Sequence, residues 1–344
     1  MDTFRSTDDA QCDPHLEKVE VTKTLITGGA GFVGSHLAEK LIARGDQVII
    51  VDDQSTGRLE NLDPIINHEN LTWIDGSISD KDLIAEQVSQ ADQVYHLAAA
   101  VGVALIAKAP IETIERNIEP TQFLLSAVNQ RHLAGHKIKL FLASTSEVYG
   151  KNPKEVWCEE DDLVFGPTTR ARWSYGASKA IDEFLTLGYF RQSKLPSVIG
   201  RFFNVVGPRQ TGVYGMVLPR FVSAAMQNEN LVVHDDGAQT RCFGHVDDVT
   251  DGVIAMMDSD HTNGEIYNIG SDSPISIKAL AEKVIEITGS NSKIEFQSYN
   301  DAYDKDFEDI RRRVPDLSKI KRAIKFDPKH DLDSIIADVH ASMK

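Results

Sequence analysis

Short apolar, β-rich runs recur along the first part of the chain, each followed by a longer stretch whose apolar positions carry helical spacing. The runs are TKTLIT at 22–27, QVIIV at 47–51, LTWI at 71–74, QVYHLA at 93–98 and KLFLAS at 139–144. A parallel neighbour can be reached only through a crossover, so alternation of this kind builds βαβ units. SVIGRFFN at 197–204 supplies a sixth strand, after a helix predicted from near Tyr175 to near Ser193. The expected fold class is α/β, a doubly wound parallel sheet of Rossmann type with ligands at its carboxyl edge.

Beyond residue 205 the punctuation changes. Loop signals in GPRQTG, LPRF, DDGAQTR and RVPD separate helical stretches near 216–228, 247–258 and 276–288, which reads as a smaller, mixed C-terminal lobe. Segments such as HVDDVTDGV are expected to return to the sheet. Residues 1–19 read as a polar leader.

Composition narrows the function classes. Of 344 residues, 41% are hydrophobic and 26% charged, and no apolar run reaches the roughly 18 residues of a membrane span. The leader lacks the apolar stretch of a secretory signal. Cys12, Cys158 and Cys242 lie far apart with no C-x-x-C pair, so no disulfide framework and no metal are expected, and a reducing cytoplasm fits. The balance of 36 basic against 52 acidic residues, net −16, disfavours nucleic acid and anionic membranes as partners. Any anionic ligand must be held by local groups. The acidic runs Glu159 to Asp162 and Asp301 to Asp309 read as solvated loops.

The candidate chemistry begins where TKTLIT runs into GGAGFVG. This spacing places Gly28, Gly31 and Gly34 at a turn and at the mouth of a helix, with Phe32 and Val33 in its first turn. A pyrophosphate needs close backbone approach there, and the helix N-terminus adds partial positive charge. Asp52 closes the second strand about twenty residues on, where a carboxylate accepts hydrogen bonds from ribose hydroxyls and repels a 2′-phosphate, favouring NAD over NADP. Tyr175 and Lys179 form Y-x-x-x-K, and i, i+4 spacing puts both on one helix face. A phenol of pKa about 10 needs a neighbouring cation to act as a base. Thr145, just past the fifth strand in STSEVYG, is placed to bridge a substrate hydroxyl and Tyr175.

TGGAGFVGSHL, HLAA at 96–99, Asn117, STSEVYG, YGASK, RFFNVVGPR and QTR…HVDD at 239–248 together resemble the extended short-chain dehydrogenase/reductases, the nucleotide-sugar epimerases, dehydratases and decarboxylases. The resemblance spans about residues 22 to 330. It implies an NAD-binding domain over 20–204 and a substrate-binding lobe over 205–344, and chemistry through a 4-keto sugar. It implies that Asn204 contacts the nucleotide sugar, that Arg241 and Arg313 clamp its pyrophosphate, that Ser146 lines the substrate side, and that Ser77 and Ile78 border the adenine where many relatives carry Gly-Asp-Ile. Arg311 and Arg312 read as solvated neighbours, and His96 and His245 as structural. Within the family, Thr145-Ser146-Glu147 and the arginine of Arg313-Val314-Pro315-Asp316 resemble UDP-glucuronate decarboxylases, with a UDP-hexose or UDP-uronate 4-epimerase as the alternative. The acidic group of Glu147 suggests chemistry beyond C4. The resemblance also implies a homodimer through helices 111–131 and 175–193.

Overall fold

The computed structural model describes residues 21–99, 110–212, 216–298 and 309–344. The polar leader, Cys12 and residues 301–308 of the second acidic run lie outside the described residues. Six strands follow the periodicity closely: β1 (Lys23–Thr27), β2 (Gln47–Asp52), β3 (Leu71–Asp75), β4 (Gln93–His96), β5 (Lys139–Thr145) and β6 (Ser197–Phe202). Between them run α1 (Phe32–Arg44), α2 (Lys81–Gln90), α3 (Pro110–Leu133) and α4 (Ser174–Ser193). Glycine closes α1 as the chain geometry requires. Gly45 takes the left-handed conformation, φ 102°, its N–H donating to Ile42 O while the Asp46 N–H returns to Leu41 O.

All pairings of the main sheet are parallel, and its spatial order is β3-β2-β1-β4-β5-β6 followed by the strand Glu265–Ile269. The order reverses between β1 and β4, so their carboxyl ends diverge and open a crevice. One face packs Leu37, Leu41, Ile50, Phe141 and Met256, the other Leu25, Val94, Leu125, Leu140 and Ile199, all buried.

The helix expected near 247–258 forms, and what periodicity did not disclose is the strand that follows it. HVDDVTDGV forms a helix, Val246–Asp258, packed on α1 and β5, and the short run after it supplies a seventh strand beside β6. Buried Lys139, at the start of β5, ties this helix down: its ammonium donates to Met256 O at 3.0 Å, Ser259 O at 2.6 Å and the Thr262 hydroxyl at 3.1 Å. A cation suits the unpaired carbonyls at a helix C-terminus.

The remaining elements form their own core. Helices Val217–Met226, Ile277–Thr288 and Leu332–Ser342 enclose Leu218, Phe221, Leu280, Val284, Ile335 and Ile336. Beside them, Thr240–Cys242 pairs with Pro274–Ser276 on one side and with Arg312–Arg313 on the other. That small sheet carries arginines to the crevice.

Candidate active site

β1 turns through Gly28, φ 76°, into α1. A Cβ on Gly28 would meet Ala98 N at 2.7 Å, and one on Gly34 would meet Gly28 O at 2.3 Å, so strand, turn and helix are packed at backbone contact. Gly31, the N-cap of α1, brings no side chain to the helix mouth. The first-turn N–H groups there suit a phosphate. At the end of β2, buried Asp52 accepts from Ala30 N–H at 3.0 Å and Gln54 N–H at 2.8 Å. Burial pushes its carboxyl up and these hydrogen bonds pull it back. Gly76, Ser77 and Ile78 line a second hollow that joins the main cleft through Gly28, Asp52, Thr56, Ala98 and Ala99. A glycine cradle that any Cβ would fill, a helix mouth and a buried acid at the strand end fit the dinucleotide expected there.

The main cleft, about 470 Å³, brings Gly28, Gly31, Phe32, Val33, Gly34 and Asp52 together with Thr145, Ser146, Glu147, Tyr175, Asn204, Arg241 and Arg313. Thr145 ends β5, and its hydroxyl accepts from the Glu147 N–H at 3.2 Å, opening a short helical turn over Ser146–Tyr149. The Tyr175 phenol and the Thr145 hydroxyl line the same cleft, close enough for the hydroxyl to favour phenolate. Burial first, then the Glu147 carboxylate, push that phenol above the usual tyrosine range, and the Thr145 contact opposes them.

Lys179 does not line the cleft. Its ammonium, 2% exposed, donates to Asp182 Oδ2 at 3.0 Å rather than standing open beside the phenol. Asn117 Nδ2 donates to Ser178 Oγ at 3.2 Å, on the same helix turn. Asn204 sits in the left-handed region, φ 36°, and its amide donates to Cys242 O at 2.9 Å.

Two carboxylates occupy the arginines. Glu147 is held between Arg172 Nη1 at 2.7 Å and Arg313 Nη1 at 2.5 Å, which bring its carboxyl down to about 2 against the desolvation that opposes them. Arg241 Nη2 reaches Asp309 at 3.0 Å. So the arginines expected at a pyrophosphate do line the cleft, but Arg313 is turned to Glu147. Arg311 instead pairs at the surface with Asp235 and Asp236, and Arg312 donates to Glu155 O. Arg209 reaches Glu39 and the Ser35 hydroxyl on α1.

His96 lies between the hydroxyls of Thr27 at 2.7 Å and Thr121 at 2.9 Å, held neutral by burial, its pKa down to about 3. His245 caps helix Val246–Asp258 by accepting the Asp247 N–H at 3.1 Å.

Sequence reasoning did not single out Arg172 or Asp182. Arg172 lies in the short helical turn Ala171–Trp173 that leads into α4, three residues ahead of Tyr175. Asp182 carried no signal, because an aspartate in a helix is ordinarily a solvated one.

Comparison with known proteins identifies the family. The family model described as GDP-mannose 4,6 dehydratase matches residues 25–339. The chain is 44% identical over 307 residues to a UDP-N-acetyl-alpha-D-glucosaminuronate decarboxylase of Bacillus cytotoxicus, covering 89% of this chain and 92% of that protein. It is 34% identical to UDP-glucuronic acid decarboxylase 1 of Xenopus tropicalis, over 91% of this chain and 70% of the relative. Among solved structures, a UDP-glucuronic acid 4-epimerase from Bacillus cereus, in complex with UDP-glucuronic acid and NAD, superposes with a TM-score of 0.83 at 27% identity, covering 94% and 99% of the two chains. The chain belongs to this family, the NAD-dependent nucleotide-sugar-modifying enzymes of the extended short-chain dehydrogenase/reductases.

Proposed function

We propose that this enzyme decarboxylates a UDP-linked hexuronic acid through a 4-keto intermediate. The observation that carries the reading is the buried Arg172–Glu147–Arg313 cluster beside Thr145 and Tyr175. Two guanidinium groups against one carboxylate leave a net positive wall, which a sugar carboxylate complements and a neutral hydroxymethyl group does not.

Bound NAD would supply a reversible hydride acceptor facing C4. The chain's own residues do the rest. Gly28, Gly31, Gly34, the α1 mouth and Asp52 would hold the dinucleotide, with Ser77 and Ile78 at its adenine end. Thr145 orients the C4 hydroxyl, and Tyr175 Oη, as the phenolate, takes that hydroxyl proton as the ketone forms. A 4-keto uronic acid is a β-keto acid, so the C5–C6 bond breaks with its electron pair delocalised onto the ketone oxygen, and CO2 leaves. Glu147, an anion at any working pH, holds Arg172 and Arg313 in place; it has no proton to donate. C5 takes up a proton from solvent to replace the lost carboxylate, and Tyr175 gives its proton back to the C4 oxygen as the ketone is reduced again. Ser146, Asn204 and Arg241 border the sugar and phosphates.

UDP-glucuronate is the substrate that the Thr-Ser-Glu triplet favours. The 44% identity over nearly the whole length of the Bacillus relative favours its N-acetylglucosamine-derived counterpart as a second reading. Incubating the enzyme separately with UDP-glucuronate and UDP-N-acetylglucosaminuronate, and reading product mass and stereochemistry, decides both questions. Loss of one carbon dioxide supports decarboxylation. A product of unchanged mass and inverted C4 overturns it in favour of a 4-epimerase.

We assign 20–204 to NAD binding and 205–344 to the substrate lobe, with Val246–Asp258 and Glu265–Ile269 returning to the sheet. No helix among the described residues is long and apolar enough to cross a membrane. The cysteine spacing supports a cytoplasmic setting. Exposed Ile111 and Ile114 on α3, with Ile181 and Phe184 on α4, support a homodimer through these two helices.

A further inference from the structure

The carboxylate of Asp182 is fully buried on α4, one turn beyond Lys179. Its Oδ2 accepts from the Lys179 ammonium at 3.0 Å, while Oδ1 has no hydrogen-bond partner among the described residues. Its neighbour Glu183 is bound quite differently. Glu183 receives two hydrogen bonds from Arg201, at 2.9 and 2.7 Å, and one from Ser144 at 2.5 Å. Glu183 is thus a satisfied strut between helix and sheet. Asp182 is a half-satisfied buried anion, and such a group costs free energy that an apolar residue at the same place would not.

We propose that Asp182 is a positioning residue that anchors the Lys179 ammonium and offsets its charge, so that Asp182 sets the pH range in which Tyr175 accepts a proton. A lone ammonium beside a phenol stabilises phenolate; an ammonium bound to a carboxylate acts as a dipole and stabilises it far less. The inference rests on the redox step common to the family and not on which sugar is turned over.

The other charges around this turn do not substitute for Asp182. Glu147, from the turn Ser146–Tyr149, also pushes the phenol up, but it is held by Arg172 and Arg313 and is left in place by a substitution at Asp182. Arg201 on β6 is committed to Glu183. His96 on β4 is neutral, and β5 presents the hydroxyls of Ser144 and Thr145, with Lys139 at its far end. α3 contributes uncharged Asn117 and Thr121, whereas its Glu112, Glu115, Arg116 and Glu119 lie exposed.

Asp182→Asn keeps the shape and removes the charge. Seven positions of helix separate it from Tyr175, roughly 10 Å of rise, and one charge at that range moves a buried group by about one pH unit or less. The test is an ultraviolet difference titration of phenolate formation in the NAD-loaded enzyme, with Tyr175→Phe as the blank, which needs no substrate. The midpoint is expected to move to lower pH by about half to one unit, and the acidic limb of turnover to move with it. An unchanged or raised midpoint in a folded variant overturns the proposal. If Asp182→Asn alone does not fold, Lys179→Met is compared with Lys179→Met/Asp182→Asn, in which both charges leave together. A lower midpoint in the double variant supports the proposal, and equal midpoints overturn it. A wrong assignment of the sugar leaves the optical result untouched.

Discussion

Replacing Glu147 by glutamine removes the anion between Arg172 and Arg313 and leaves two guanidinium groups facing each other in a wall that is 9% exposed at residue 147. In the folded protein the carboxyl falls from 4.5 to about 2. By linkage, such a depression contributes about 3 kcal/mol to folding. A depressed carboxylate contributes fully above its unfolded pKa, and the contribution is lost as pH falls through 4.5 toward 2. Urea unfolding of the two proteins side by side therefore has a defined signature. At neutral pH the glutamine variant unfolds at distinctly lower urea, and the gap closes progressively in acid as wild-type Glu147 takes up its proton. Turnover of the uronate falls too, since the arginines lose the group that orients them. Equal unfolding midpoints at neutral pH, or a gap that does not change with pH, would refute the ion-pair account of this wall.

Other substitutions test other parts of the site. Tyr175→Phe should lower turnover by about 10²–10⁴-fold while NAD still binds, as followed by cofactor reduction in single-turnover absorbance. Gly34→Ala drives a methyl into Gly28 O at 2.3 Å; calorimetry should show weakened NAD binding and a lower Tm, with a packing cost of about 1–3 kcal/mol. Arg201→Met leaves the Glu183 carboxylate buried without its cation and should cost about 3–5 kcal/mol in chemical denaturation. Phe184→Glu, placed on the exposed face of α4, should convert a dimer to a monomer in sedimentation velocity.

What could be read from the chain was what depends on local spacing. Strand periodicity marked six strands within a residue or two, because alternation and apolar runs reflect the faces that a strand must bury. The glycines at 28, 31 and 34 were legible because only that residue tolerates backbone contact at the turn, and Asp52 because a strand end fixes its place at the crevice. Tyr175 and Lys179 were placed on one helix by their own i, i+4 separation.

Pairings across the fold were a different matter. The strand Glu265–Ile269 joins the sheet only because helix Val246–Asp258 carries the chain back across its face. Arg313 meets Glu147 because a two-residue strand lies beside Thr240–Cys242, and nothing near either residue in the chain encodes that meeting. Which carboxylate takes the Lys179 ammonium likewise followed from burial, which removed water as a partner and left Asp182 within reach. Backbone geometry is written in neighbouring residues. The charge state of a site is decided by which distant side chains the packed fold deprives of solvent and brings together.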